Sequence, residues 1–320
     1  MNETRRRVLA ALADGPVSGP ALADTLGVSR AAVWKHVEAI REAGFGVESG
    51  DDGYRLTAVP EYGGLAIAHG LAAPYEIEYH DALGSTNDRA RELADEGAGD
   101  VVVVADEQTG GRGRLDREWA APPGGVYASI LTRPHVPPSQ VPLATLAAAV
   151  AVTRAAREAG VDARIKWPND VLVAVDDGEQ GERVYRKLAG ILTEMEGEAD
   201  RVSWLVVGIG VNANVATADL PPTGTSLREQ LGENVDRRVF LQRVLEEYHE
   251  LGTDVDAVLP AWRDHALTLG QRVRVETPSG EVVGEAVDVE SPGALLVETD
   301  DGVVRVSAGD CEHLRPVDAA

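Results

Sequence analysis

Apolar positions at Val8, Leu9 and Leu12 mark one face of a short helix over residues 5–12. A second helix begins near Ser18, a residue suited to the N-cap, and turns Leu22 and Leu26 inward. In the sequence LGVS that follows, Gly27 supplies a left-handed turn and Ser29 caps a third helix. On that helix Val33, Val37 and Ile40 share one face, while Ala31, Lys35, Glu38 and Glu42 point away. Two helices joined by a glycine turn predict a helix-turn-helix, and VESGDDGYRL after them predicts a two-stranded wing with its tip at Asp51, Asp52 and Gly53. Three such helices also suit an ordinary packing module, so spacing alone leaves DNA binding open. Ser29, Arg30 and Lys35, early on the third helix, are the candidate DNA contacts.

The pattern breaks at TAVPEYGG, a proline- and glycine-rich boundary near residue 60. Beyond it, strand patterns at 75–79, 101–105, 126–132, 164–166, 188–195 and 202–208 mix with helix patterns at 86–96, 141–159 and 237–252. This predicts an α+β or α/β core of about 200 residues. From residue 270 the chain changes to short alternating segments, QRVRVET, GEAVDVE, ALLVETD and VVRVSA, separated by Pro-Ser-Gly, Pro-Gly and Asp-Asp-Gly turns. A small β-barrel is the expectation there. Three domains follow, at 1–60, 61–266 and 267–320.

Charge is spread unevenly over this plan. The 320 residues carry 53 acidic and 30 basic side chains, a net charge of −23. Residues 1–60 hold eight acids and seven bases, so all but one unit of the negative charge lies beyond them. An acidic protein repels nucleic acid, and the first sixty residues escape that bias. Only Lys35, Lys166 and Lys187 are lysines; the other 27 basic residues are arginine. Such acid-rich, lysine-poor chemistry suits high salt, where repulsion is screened within about 3 Å at molar ionic strength. It also makes each remaining lysine a candidate for work that arginine cannot do. No apolar run is long enough to cross a bilayer, and MNETRRRVLA lacks the apolar stretch of a signal peptide, so a cytoplasmic location and no membrane partner are expected. Cys311 is the single cysteine, which excludes an intrachain disulfide and reads as a buried filler.

Candidate chemistry begins at GGRGRLDREW, residues 110–119, directly after the four valines at 101–104. Glycines let backbone amides approach an anion, and Arg112, Arg114 and Arg117 can grip a phosphate or carboxylate. A solvated hairpin tip would look the same. Lys166 opens KWPND and Lys187 opens KLAGIL, where a lysine entering a buried strand is either a reactive cation or an edge guard. No GxxxxGK[ST] loop, GxGxxG unit, HExxH pair or GxSxG elbow occurs, and GIGVN lacks a third glycine. No spacing of histidines and acids defines a metal cage, and the metal ligands are unassigned.

Taken together, GSTN at 84–87, GRGR with a tryptophan five residues on, KWPND, KLAGIL and GIGVN resemble the motifs of the biotin protein ligases, in family order. The N-terminal LGVSRAAVWKHVEAIREAG and GYRL are similar to the winged helix of the bifunctional members that double as biotin operon repressors. The resemblance implies a winged helix-turn-helix, a catalytic domain related to class II aminoacyl-tRNA synthetases and an SH3-like C-terminal barrel, an α+β multidomain fold. It implies that biotin and ATP form biotinyl-5′-AMP with magnesium (Mg2+), and that the biotinyl group passes to a lysine of a carboxylase's biotin carboxyl carrier domain. On the family pattern Arg112, Gly113 and Arg114 would cover the adenylate, and Lys187 would touch biotin's carboxylate and the α-phosphate. Ser85, Thr86, Asn87 and Gln108 would line the biotin pocket, Trp119 would flank adenine, and Lys166, Asn169 and Asn212 would hold nucleotide and magnesium. Operator DNA and a ligand-induced homodimer are the further partners implied. The loop departs from the family at Leu115 and Asp116, where the acid lowers the loop's positive potential. Two other readings remain: a lipoate- or octanoate-type ligase on the same fold, which the polar pocket disfavours, and a ligand-sensing repressor without ligase activity.

Overall fold

A computed structural model of the chain describes residues 3–176 and 183–314. Helices α1 (Glu3–Ala13), α2 (Gly19–Leu26) and α3 (Arg30–Glu42) close on one apolar cluster that includes Leu9, Leu12, Leu22, Val37 and Ile40. Ser18 caps α2 by accepting from the Ala21 amide at 3.3 Å, Gly27 ends it at φ 67°, and Ser29 caps α3 through the Ala32 amide at 3.1 Å. The wing is β1 (Gly46–Gly50) paired antiparallel with β2 (Gly53–Ala58). Val17 adds a third rung, exchanging two backbone bonds of 2.9 Å with Tyr54. That approach needs glycine at 53: a Cβ there would lie 2.3 Å from the Val17 carbonyl oxygen.

A short helix, α4 (Gly64–Ala68), leads to the central sheet of β3 (Glu76–Leu83), β4 (Val101–Gln108), β5 (Val126–Thr132), β6 (Ala163–Lys166), β7 (Asp170–Asp176), β8 (Arg183–Gly197) and β9 (Val202–Val211). Its order is β3-β4-β5-β9-β8-β7-β6. Only β3 and β4 run parallel, joined through α5 (Thr86–Asp95); the other neighbours are antiparallel. The valine run explains the layering. Val101 and Val103 join the cluster under α5, with Ala90 and Leu93, while Val102 and Val104 join the larger core under α6 (Val141–Glu158). A strand buried on both faces reads as continuous apolar sequence. Helix α7 (Leu227–Leu231) is one short turn, and α8 (Arg237–Thr253) and α9 (Val258–His265) pack beside α6.

The C-terminal segment forms β10 (Arg272–Thr277), β11 (Gly280–Glu290), β12 (Ala294–Thr299), β13 (Gly302–Val306) and β14 (Asp310–His313). They make one antiparallel sheet in the order β13-β12-β11-β10-β14. Among the described residues no ladder joins β13 to β14, so the strands form an open β-rich sheet. Its inward residues, Val273, Val275, Leu295 and Val297, share a core with the central sheet. Trp167 stitches the two together: its amide donates to Thr268 Oγ1 at 2.9 Å, and its indole donates to the Gly293 carbonyl at 3.0 Å. Cys311 is buried here, as its lone position led us to expect, and burial pushes its thiol up to about 12.

Two sequence expectations change. Residues 170–176, which start at the last letter of KWPND, are a strand paired with β6 through Lys166 opposite Asp170, and Trp167, Pro168 and Asn169 form the tight turn between the two strands. Lys187 lies inside β8 and not at the start of a strand, beside the register shift at Val171/Leu172 on β7.

Candidate active site

One cleft opens over the β8–β9 half of the sheet, of about 260 Å³, and it draws in residues from eight separate segments. The first is the start of α5. Ser85 is its N-cap, and Ser85, Thr86 and Asn87 are all buried on the cleft wall. Gln108, at the end of β4, accepts from the Thr86 amide at 2.8 Å and from Thr86 Oγ1 at 3.0 Å. Behind them Ser129, fully buried on β5, lies 2.7 Å from Thr86 Oγ1 and 2.6 Å from Asn87 Oδ1. Asn87 in turn donates to Glu194 Oε2 at 2.6 Å. This chain of polar contacts fixes the wall before any ligand arrives. The parallel crossover from β3 to β4 is what sets α5 and Gln108 side by side.

The floor is glycine. Gly208 and Gly210 alternate on β9 and face the cleft together. A Cβ at Gly208 would meet Asn87 Oδ1 at 2.2 Å, and one at Gly210 would meet the Trp119 indole at 2.8 Å. Gly190 on β8 gives the same indole room, 3.3 Å from a would-be Cβ. The incomplete glycine signature in GIGVN thus clears a surface for a flat ring.

The roof is the arginine loop, which is tied down on both sides of the cleft while Arg112 and Arg117 stay exposed to solvent on their outer sides. Arg112 pairs with Asp88 on the first turn of α5, and Arg117 pairs with Asp310 at the start of β14. Arg114 donates to Asn169 Oδ1 at 2.9 Å and to the Gly309 carbonyl at 2.7 Å. Burial pulls its guanidinium below the ordinary arginine value, and the charges of Asp310 and Asp170 pull the other way. Gly113 donates its amide to Arg117 at 2.7 Å, closing a tight turn around Leu115. Leu115 is exposed and takes φ 57°, a conformation that costs a non-glycine residue about 1–2 kcal/mol. The side chain of Asp116, the acid expected to lower the loop's positive potential, lies outside the described residues.

Lys187 enters from β8. Its Nζ is 2.7 Å from Asp170 Oδ1 and 5.2 Å from the centre of the Trp119 ring. Its backbone is clamped as well, the amide donating to the Thr223 carbonyl at 2.7 Å and the carbonyl accepting from Thr225 at 3.0 Å. Asn212 completes this corner: Nδ2 donates to the Thr225 carbonyl at 3.0 Å, while Oδ1 is buried with no partner among the described residues. The cations of the cleft therefore rest against acids or carbonyls of the same chain, a set that an anionic ligand can exchange for its own oxygens.

Of the candidate residues, Ser85, Thr86, Asn87, Gln108, Arg112, Gly113, Arg114, Trp119, Asn169, Lys187 and Asn212 all line this cleft. Lys166 does not. It ends β6 on the other side, where its charge is felt by Cys311 and His313. Asp170 and Asp310 also line the cleft; Asp170 is within reach of the sequence as the last letter of KWPND, whereas nothing in the sequence places Asp310 beside the loop until the two sheets are docked. Ser29, Arg30 and Lys35 stand apart on the N-terminal module, with Arg30 and Lys35 exposed.

Comparison with known proteins agrees with this layout. Residues 82–212 match the Biotin/lipoate A/B protein ligase family, residues 268–314 the Biotin protein ligase C terminal domain, and residues 4–63 an HTH domain. The chain is 38% identical over 313 residues to the bifunctional ligase/repressor BirA of Bacillus subtilis, covering 92% of this chain and 93% of the relative. It is 34% identical to the biotin–[acetyl-CoA-carboxylase] ligase of Mycobacterium tuberculosis over 72% of this chain and 86% of that protein. Among solved structures it resembles the biotin protein ligase from Aquifex aeolicus in complex with biotin and ATP, with a TM-score of 0.61, 27% identity, and coverage of 75% of this chain and 98% of that one.

Proposed function

Because the chain belongs to the biotin protein ligase family, in the form that carries an N-terminal HTH domain, we propose that the cleft joins biotin to ATP and that the winged helix makes the same molecule a repressor. The protein is an adenylate-forming biotin ligase. A carboxylate oxygen of biotin bonds to the α-phosphorus of ATP as the bond to pyrophosphate breaks, giving biotinyl-5′-AMP. The ε-amine of a carrier lysine then attacks the acyl carbon, AMP leaves, and the amine gives up a proton.

The observation that carries the reading is the set of cations converging on a glycine floor. Two anions must meet in the first step, and fixed positive charge in a partly dry site offsets their repulsion. Lys187, held by Asp170 and by its clamped backbone, sits where it can turn to the carboxylate and the α-phosphate. Arg112 and Arg114 cover the adenylate from above. On the polar wall, Ser85, Thr86, Asn87 and Gln108 offer hydroxyls and amides to the two donors and one acceptor of a ureido ring. A fatty acyl group has no use for them, which favours biotin over lipoate or octanoate. Trp119 offers the flat face for adenine. Asp170, Asn169 and the unpartnered Asn212 Oδ1 would hold magnesium arriving with the nucleotide, once the ligand takes over Lys187 and Arg114 from the first two. When bound, that ion supplies charge neutralisation to the leaving pyrophosphate.

We also read the boundaries as 1–60, 61–266 and 267–320, with the central domain synthetase-like and the last one SH3-like, a cytoplasmic location, and a homodimer that forms on ligand binding and sets two winged helices on a palindromic operator. The test is direct: purified protein with biotin, ATP, magnesium and a carrier domain should add one biotinyl group to the carrier, read by intact mass. A carrier of unchanged mass overturns the ligase assignment; a carrier that gains an acyl group only from lipoate or octanoate moves it to the other substrate class.

A further inference from the structure

Helix α3 presents an unusual face. Trp34 is 55% exposed, among the most exposed of the large apolar side chains, and it lies between Arg30, Ala31 and Lys35, all exposed. The buried side of the helix needs none of them, since Val33, Val37 and Ile40 fill the core. Neither Arg30 nor Lys35 forms an ion pair among the described residues. The acid that comes next on this side, Glu38, is held by Arg41 at 2.6 Å, and Arg41 is in turn anchored on the Val47 carbonyl and Ser49. The face is thus an exposed indole between two free cations, with its neighbouring acid neutralised.

We infer that Trp34 is the sequence-reading residue of the operator-binding face, making an apolar contact to a base edge in the major groove of duplex DNA while Arg30 and Lys35 hold phosphates. The inference rests on the repressor reading above and names which residue carries its specificity. Charge complementarity selects the occupant: a polyanion fits two free cations on the only near-neutral part of an acidic chain. Position agrees, because residues of the first turns of a recognition helix reach base edges, and the 5-methyl of thymine is the apolar group the groove displays. The charge of the surroundings favours such a contact. Phosphate binding is driven by counterion release and weakens steeply with salt, whereas an apolar contact does not. In a protein whose composition suits high salt, specificity placed on an indole survives where specificity placed on charge fades.

The experiment selects binding sites from a randomised duplex DNA pool with the full chain in biotin, ATP and magnesium, then measures affinity for the selected duplex from 0.1 to 1 M KCl. For Trp34→Ala we expect about a tenfold or greater loss of affinity at every salt concentration, an unchanged slope of log affinity against log salt, and relaxed preference at one or two thymine positions. Lys35→Ala should instead lower the slope by about one and leave the preference intact. Circular dichroism and thermal melting of Trp34→Ala should match the wild type, since the side chain is outside the core. Selection of the same motif with undiminished affinity by Trp34→Ala overturns the inference while leaving the repressor reading standing. So does a changed salt slope, or loss of dimer by sedimentation, which would mean that the indole covers a second copy of the chain. A wild-type protein that enriches no motif at all removes the repressor reading itself.

Discussion

Arg114 holds three parts of the molecule at once: the loop it belongs to, Asn169 in the hairpin between β6 and β7, and the Gly309 carbonyl of the C-terminal sheet. Removing it unfastens the roof from both anchors. Arg114→Ala should therefore release biotinyl-AMP into solvent, seen as biotinylation of bystander proteins mixed with the enzyme, and unchanged retention of the adenylate would remove this role. The residue types at the cleft are legible in the sequence, because GSTN, GRGR and KLAGIL name polar, cationic and glycine positions in series. What they could not give is pairing. Asp88 and Asp310, which hold Arg112 and Arg117, lie on segments whose proximity depends on α5 docking and on the approach of the C-terminal sheet. Lys166 misleads for the same reason: rarity marked it as reactive, but its strand turns it away from the cleft, towards His313.

At the scale of elements, periodicity located the long segments and missed the short or two-sided ones. The helices α1 to α3 and the wing follow their apolar spacing and caps because each buries one face and exposes the other. The helices α4 and α7, of five residues each, have too few positions to show a period. The strand β7 hides behind Pro168 and Asn169, where turn chemistry outweighs the apolar run. Barrel closure was likewise not readable, since alternation fixes which residues face inward and says nothing of which edges meet. The wing carries a prediction of its own. Gly53 has φ 116° and no room for a Cβ against Val17, so Gly53→Ala should break the two bonds between Val17 and Tyr54. A cost of roughly 1–3 kcal/mol is expected, and hydrogen exchange at the Val17 and Tyr54 amides should speed up accordingly; unchanged protection would show that the wing tolerates the strain.

At the scale of the whole molecule, the central and C-terminal sheets are joined by a shared core and by the Trp167 junction, and two solvent responses follow. His313 faces Thr268 at 3.1 Å in that junction, and burial, helped by the charge of Lys166, pushes its imidazole down to about 4. Below the ordinary histidine value near 6.5 the unfolded chain takes up a proton that the folded one refuses until about 4. Stability from this group is thus complete above that window and is lost as the pH falls through it. His313→Asn should flatten the fall in melting temperature between pH 6.5 and 4; an unaltered slope would place the sensitivity elsewhere. The net charge of −23 with 30 bases predicts the second response, a melting temperature that rises as KCl is raised to molar levels and screens the repulsion. A fall would contradict the salt-adapted reading.

All of this depends on one chemical claim, that Lys187 and the arginine loop let a carboxylate attack a phosphate. Biotin-dependent exchange of labelled pyrophosphate into ATP isolates that step, needing neither carrier nor DNA. The wild-type protein should exchange label only when biotin is present, and Lys187→Ala should lower the rate by about a hundredfold or more. Exchange that ignores biotin, or that persists at the wild-type rate without the lysine, would contradict the account.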